Sequence, residues 1–303
     1  MKIAISGASS FVGTNIIEEL IKQYQDADIY ALIRPNSPNN KKIAKFGNRI
    51  NVLEVDMGNI QELTNLIDGI DVFYLNAWNG TRGADRLNEE MQKNNYTNSI
   101  LAINTAIKLG AKTIIGVGSQ AEYGITNTFV DEESEAKPNT AYGKYKLMLY
   151  TEGLSVCKKN NVEFKWGRIF SSYGTNDNEN TLVMYCIKNM LNNCDVDVSP
   201  CKQMWNFINI KDVACLFVKM ISDKIPSGVY NLASNDTRVL SSFIEEMYLL
   251  TNASCKINYG AVQTNIKLMN LMPRISKIEK HFPGYKFISF STGVREIINS
   301  YRK

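Results

Sequence analysis

The sequence predicts an α/β protein with a doubly wound parallel sheet and a smaller C-terminal lobe, and three observations carry that expectation. Short β-branched runs alternate with longer amphipathic stretches through the first two thirds of the chain, as repeated βαβ units require. The first such run ends in a turn marked by Gly7 and Gly13 that opens directly into a helical pattern. Beyond about residue 172 the alternation loosens, beginning with the polar stretch Thr175-Asn176-Asp177-Asn178-Glu179-Asn180.

Strands are expected at 2–6, 28–33, 50–55, 71–75, 113–117 and 163–169, each a short apolar run between polar or glycine-containing segments. Helices are expected near 12–24, 60–67, 88–109 and 140–159, where apolar residues recur at spacings of three and four and so share one face. The chain is expected to return to the sheet at 207–210 and again at 229–232. These boundaries give a sheet domain over 1–171, rejoined at about 207–233, and a lobe built from 172–206 and 234–303. A chain of 303 residues with 44% hydrophobic content can bury cores of that size.

Composition excludes several function classes. A net charge of +4, carried by dispersed Lys and Arg, does not point to nucleic acid. No window reaches the roughly 20 apolar residues of a membrane helix, and Met1-Lys2 runs straight into the first strand, so a soluble cytoplasmic protein without a signal peptide is expected. Six cysteines (Cys157, Cys186, Cys194, Cys201, Cys215, Cys255) form no C-x-x-C pair, and His281 is the one histidine, so reduced thiols and no metal site are expected.

The first strand ends in Ser6-Gly7-Ala8-Ser9-Ser10-Phe11-Val12-Gly13. Glycine at such a turn lets backbone approach a pyrophosphate closely, and the following helix offers orphan N–H donors and the positive end of its dipole. The segment resembles the G-x-x-G-x-x-G turn of the extended short-chain dehydrogenase/reductase family, of the NAD-dependent epimerase/dehydratase type, with Ser10 at the middle glycine. The resemblance implies a Rossmann-type domain that holds a nicotinamide dinucleotide at Gly7, Ser9, Ser10, Phe11, Val12 and Gly13. Where NAD-preferring relatives place an acidic residue against the ribose, this chain has Arg34, which suits a 2′-phosphate; NADP(H) is expected, with NAD as the alternative. Asp56, beside Met57, matches the family aspartate at the adenine amine, and Asn76-Ala77 falls where the family packs on the cofactor.

Tyr142-Gly143-Lys144-Tyr145-Lys146 contains Y-x-x-x-K, whose ends share a helix face. That spacing is common on solvated helices, and it gains weight from Ser119 in Gly118-Ser119-Gln120-Ala121-Glu122-Tyr123-Gly124, which resembles the family's serine or threonine segment before Tyr-Gly. Arg168-Ile169-Phe170-Ser171-Ser172-Tyr173-Gly174 resembles the stretch after the sixth strand. The resemblance implies that Tyr142 exchanges a proton with the substrate oxygen, that Lys146 favours the phenolate and holds the nicotinamide ribose, and that Ser119 hydrogen-bonds the reacting oxygen.

Further on, Trp205-Asn206-Phe207-Ile208-Asn209-Ile210-Lys211-Asp212-Val213-Ala214 resembles a nucleotide-sugar branch, with Trp205 in place of the arginine that clasps the diphosphate. Lys202 or Arg274 are the candidates to replace it, and Gln120 and Ser171 the candidates to contact the sugar. Dehydrating relatives carry Asp-Glu after the serine or threonine, and relatives that epimerise at C3 and C5 use a cysteine and a histidine, whereas Gln120-Ala121 supplies neither. The resemblance therefore implies NADPH-dependent reduction of a 4-keto group on a nucleotide-activated deoxyhexose for surface polysaccharide. The alternatives are an NAD-dependent 4-epimerase and a non-catalytic dinucleotide-sensing protein. The family's dimer further implies a homodimer through helices 88–109 and 140–159.

Overall fold

The computed structural model describes residues 1–262 and 269–302. Its strands are β1 (Lys2–Ser6), β2 (Asp28–Ile33), β3 (Asn51–Glu54), β4 (Val72–Leu75), β5 (Thr113–Ser119), β6 (Glu163–Ile169), β7 (Ser171–Tyr173), β8 (Val196–Val198), β9 (Met204–Asn209), β10 (Gly228–Leu232), β11 (Thr237–Val239) and β12 (Ile257–Tyr259). Its helices are α1 (Phe11–Gln23), α2 (Leu63–Leu66), α3 (Glu89–Lys108), α4 (Ala141–Lys159), α5 (Leu182–Leu191), α6 (Ile210–Lys219), α7 (Leu240–Thr251), α8 (Ser276–His281) and α9 (Phe290–Tyr301).

Contacts divide the chain into two compact units. Unit 1 comprises residues 1–124, 134–169 and 214–231, and its sheet runs in the order β10-β6-β5-β4-β1-β2-β3. Strands β1 to β6 pair in parallel. Covered on both faces, β1, β4 and β5 bury nearly every residue, which is why they read as unbroken apolar runs. Trp166, Phe164 and Ile114 from the strands pack with Leu149, Ile103 and Ala106 from α4 and α3 to form the core. The two long helices begin where side chains cap them: Asn88 accepts from Met91 N, and Thr140 accepts from Gly143 N. Strand order reverses between β1 and β4, the switch point at which ligands bind in open α/β sheets.

Unit 2 comprises residues 125–133, 170–213 and 232–303. Within it β9 lies between β7, parallel, and β11, antiparallel, and β12 pairs with β8. Phe207, Phe243 and Phe290 form its aromatic centre, with ring centroids 4.8–5.5 Å apart. Val183, Ile187, Met247, Val294 and Ile297 close around them.

Three expectations need correction. The helix expected at 60–67 is a 3₁₀ segment over Met57–Glu62 followed by the single turn α2, because Asp56 turns the chain by accepting from Gly58 N and Asn59 departs from helical geometry. The strand expected to stop at 117 runs on through Gly118 to Ser119. The segment 207–210 does not rejoin the large sheet, where β10 occupies the place beside β6; it belongs to β9, whose Asn206 side chain ties it to the backbone of Ser234 and Asp236.

Among the described residues, no helix is long and apolar enough to cross a membrane, no group of three or more His, Cys, Asp or Glu is placed to hold a metal, and the six cysteines are free thiols.

Candidate active site

The turn after β1 is held shut by its own atoms. Gly7 takes a φ of +62°, and a Cβ there would lie 2.8 Å from the Cα of Ala77, so only glycine lets the β1 and β4 turns come together. A Cβ on Gly13 would lie 2.4 Å from the Gly7 carbonyl oxygen. Ser10 caps α1 by accepting from Gly13 N at 3.0 Å. The Asn76 amide donates to the carbonyls of Ser6 (3.2 Å) and Gly7 (2.9 Å) and to Ser10 Oγ (3.0 Å). Asn76, expected to pack on a cofactor, thus fixes the turn, and Ser10 serves as helix cap where the middle glycine would stand. Phe11 and Val12 begin α1, where backbone N–H groups have no intrahelical acceptor. A dinucleotide pyrophosphate fits such a turn: glycine backbone on one side, a capped helix N-terminus on the other.

Arg34 follows β2 and is exposed. Its carbonyl accepts from the Asn40 side chain at 2.9 Å, and Asn40 in turn accepts from Ser9 Oγ at 3.4 Å, so the Arg34 loop is tethered to the glycine turn. Asp56 is exposed and caps the 3₁₀ segment after β3, while Met57 packs partly against the core.

Ser119, Tyr142 and Lys146 converge. Ser119 ends β5 and accepts from Ala121 N. Tyr142 and Lys146 stand one turn apart near the start of α4, both buried. Tyr142 meets Trp78 edge-on at 6.2 Å and carries the Arg86 guanidinium 4.9 Å from its ring centroid. Burial raises the Tyr142 phenol above its ordinary 10.0; the Ser119 side chain and Arg86 pull it down, and Glu122 pushes it up. Lys146 donates to the Val117 carbonyl at 2.7 Å and lies 3.9 Å over the Trp78 ring. Burial pushes the Lys146 amine down to about 7, against the opposing pull of Glu122.

Lys146 thus stands against the same Trp78 ring as the Tyr142 phenol on which it is expected to act. Its amine is engaged by the Val117 carbonyl and Trp78, and Arg86 is a further cation that lowers the phenol. Trp78, Arg86 and Glu122 were not singled out from the sequence. Glu122 could have been, because Ser119-Gln120-Ala121-Glu122 has the S-x-x-E spacing of a capping box, and Ser119 N does donate to Glu122 Oε1 at 2.8 Å.

Gln120, partly exposed, opens the short helix after Ser119. The other expected substrate residues lie in unit 2. Ser171 opens β7 opposite Phe207, and Lys202 is exposed before β9. Arg274 is exposed, donates its backbone N–H to Val130 O, and places its guanidinium 5.4 Å from the Phe129 ring. Trp205, in the arginine's place, packs towards Phe207, and its indole N–H is buried without a hydrogen-bond partner among the described residues. His281 ends α8, away from the Ser119 segment in sequence and in the other unit.

A glycine turn at the switch point of a doubly wound sheet, with serine, tyrosine and lysine gathered at the end of β5, defines a Rossmann-type protein. The family described as NAD dependent epimerase/dehydratase matches residues 3–233, and the chain belongs to it. It is 26% identical over 272 residues to a CDP-abequose synthase of Salmonella muenchen, covering 86% of this chain and 84% of that protein. It is 22% identical over 277 residues to a dTDP-6-deoxy-L-talose 4-dehydrogenase (NAD(+)) of Aggregatibacter actinomycetemcomitans, covering 86% and 94%. Among solved structures, the fold is similar to a UDP-glucose 4-epimerase of Thermotoga maritima, with a TM-score of 0.87 at 15% identity over 100% of this chain and 99% of that one. A UDP-glucuronic acid 4-epimerase of Bacillus cereus in complex with NAD gives 0.84 at 20% identity over the full length of both chains.

Proposed function

We propose that this protein is an NADPH-dependent reductase of a 4-keto group on a nucleotide-activated deoxyhexose, acting in the cytoplasm in the synthesis of surface polysaccharide. The observation that carries the reading is the state of the segment after Ser119. Gln120 and Ala121 offer no acid or base, and Glu122, the segment's carboxylate, is buried and paired with Arg168 Nε at 2.7 Å. Reactions that add a dehydration or an extra epimerisation to hydride transfer need a further proton shuttle, and this segment supplies none. Similarity to a CDP-abequose synthase and to a dTDP-6-deoxy-L-talose 4-dehydrogenase supports a nucleotide-linked sugar as substrate.

Gly7, Ser9, Ser10, Phe11, Val12 and Gly13 would hold the dinucleotide pyrophosphate, Arg34 the 2′-phosphate, and Asp56, Met57, Asn76 and Ala77 the neighbouring surfaces. The bound dinucleotide supplies the hydride. Tyr142 donates its phenolic proton to the oxygen that becomes the alcohol, which its raised pKa suits, since the phenol stays protonated through the neutral range. Ser119 Oγ donates a hydrogen bond to the same oxygen as charge develops there. Lys146, close beside them, holds the ribose hydroxyls. Gln120, Ser171, Lys202 and Arg274 are proposed as contacts to the sugar nucleotide.

A 4-epimerase would use the same three side chains, and the tethered Arg34 loop favours the reductase. The test is loss of nicotinamide absorbance when NADPH is mixed with nucleotide-linked 4-keto-deoxyhexoses, with the product identified by NMR. Interconversion of 4-epimers by protein that retains NAD, without net consumption of added cofactor, would replace this reading with the epimerase.

A further inference from the structure

Glu122 takes no part in the proposed chemistry, yet three donors converge on its fully buried carboxylate. Ser119 N reaches Oε1 at 2.8 Å, Trp166 Nε1 reaches both oxygens at 3.0 and 3.1 Å, and Arg168 Nε reaches Oε2 at 2.7 Å. Strand β5 makes room for this group. A Cβ on Gly118 would fall 2.7 Å from Glu122 Oε1 and 2.2 Å from Trp166 Nε1. On the same stretch of backbone, one residue earlier, the Val117 carbonyl accepts from Lys146, whose ammonium also stands 5.7 Å from the Trp166 ring. The carboxylate and the ammonium therefore flank residues 117–119 of β5.

We infer that Glu122 is a positioning residue: its carboxylate, held by Trp166 and Arg168, fixes residues 117–119 of β5, the stretch that turns the Val117 carbonyl to Lys146 and carries Ser119, and sets an anion near the buried amine. The inference rests on the reading above only in the use it gives to Lys146. An isolated buried ammonium is costly, and the groups that touch Lys146 directly are neutral: a carbonyl and two indole rings. Burial drives the amine towards neutrality, and Glu122 is the charge that acts against it. The other ionisable groups around the cluster are accounted for. Tyr142 lies one turn back on α4, Arg86 lies over the Tyr142 ring, Arg168 is bound to Glu122, and Tyr123 and Tyr150 lie near the Arg168 guanidinium.

The test uses the whole chain without substrate or cofactor, so it is independent of turnover. NMR of protein labelled at lysine Cε, with the Lys146 signal assigned by its loss in Lys146→Met, follows the titration of this one amine. Removing a nearby anion lowers a cation's pKa, so Glu122→Gln should move the midpoint down by roughly one pH unit or more, while Glu122→Asp should hold it near the wild-type value. Should Glu122→Gln alone not fold, the pair Glu122→Gln with Arg168→Met removes the guanidinium that would otherwise be left unpaired, and its Lys146 midpoint should lie below that of Arg168→Met alone, the variant that differs from it only in the carboxylate. A folded variant lacking the carboxylate with an unmoved midpoint overturns the inference. A moved midpoint in a protein that binds no dinucleotide upholds it and overturns the functional reading instead.

Discussion

Replacing Tyr142 by phenylalanine removes one oxygen from a ring that keeps its surroundings. Trp78 still meets the ring edge at 6.2 Å, and Arg86 still lies 4.9 Å above it, so the packing that seats the start of α4 is retained. What disappears is the phenolic oxygen alone, and with the ring packing retained the thermal midpoint should fall by no more than a few degrees. The effect on chemistry is far larger. A positioned general acid contributes roughly 10²–10⁴ in rate, or about 2.7–5.4 kcal/mol at about 1.36 kcal/mol per decade. The segment after Ser119 offers no substitute acid: Gln120 and Ala121 carry none, and the Glu122 carboxylate is sealed against Arg168. Single-turnover oxidation of bound NADPH, measured at saturating sugar nucleotide, isolates that step. The sign with pH is also fixed. Burial keeps the phenol protonated below its raised pKa, so Tyr142 causes no decline in rate through the neutral range. Lys146, pushed down to about 7, loses its charge as pH rises through that value, and a fall in cofactor affinity there belongs to it. A loss of less than about tenfold in Tyr142→Phe would refute the assignment of the proton donor.

Four further outcomes are expected. Lys146→Met should weaken NADPH binding and turnover together, measured by titration and by initial rates, because one amine is proposed to serve both. Arg34→Ala should weaken NADPH by roughly ten- to a hundredfold, the worth of a charge-assisted pair to a 2′-phosphate, and leave NADH nearly unchanged in a fluorescence titration. Sedimentation at micromolar concentration should find a two-fold dimer formed through α3 and α4, and a monomer would refute it. Burial lifts Asp212 to about 6 from 3.8, so between those values it binds more protons in the folded state than in the unfolded one; its contribution makes stability fall with rising pH across that window, and the slope should become less negative in Asp212→Asn, whatever its absolute midpoint.

The parallel strands were legible because of where they lie. Strands β1, β2 and β6 occupy the residues expected of them; β1 and β2 are largely apolar because both faces are covered, whereas β6 buries Lys165 and Arg168 by pairing them with backbone carbonyls and with Glu122. Strand β5 was read two residues short because its last part is glycine-rich, and that glycine is demanded by Trp166 of the neighbouring strand, a contact no local pattern carries. Segment 60–67 has helical spacing, but Gly58 and Asn59 precede it, and the Asp56 side chain captures the backbone before an α-helical turn can form. For β9 the strand itself was readable and its sheet was not. A short run rich in aromatic and apolar residues specifies that it pairs, and which partner it finds depends on Asn206 reaching the backbone of residues 234–236.

The same division between local and distant information runs through the site. Ser119, Tyr142 and Lys146 are brought together by two regular elements, the end of β5 and the first turns of α4, so their order and spacing in the sequence carry most of their geometry. The acidities of Tyr142 and Lys146 depend instead on burial and on charges from other segments: Arg86 before α3 acts on Tyr142, and Glu122 after β5 acts on both. A lysine four residues after a tyrosine reads as the cation that acidifies it. In this buried site burial also lowers the amine itself, and it is turned onto a carbonyl, so its charge depends on its surroundings in a way the spacing does not carry. Variants at Glu122 and Arg86, whose charges bear on Lys146 and Tyr142, therefore test the electrostatics of the cluster alongside variants of the Y-x-x-x-K pair.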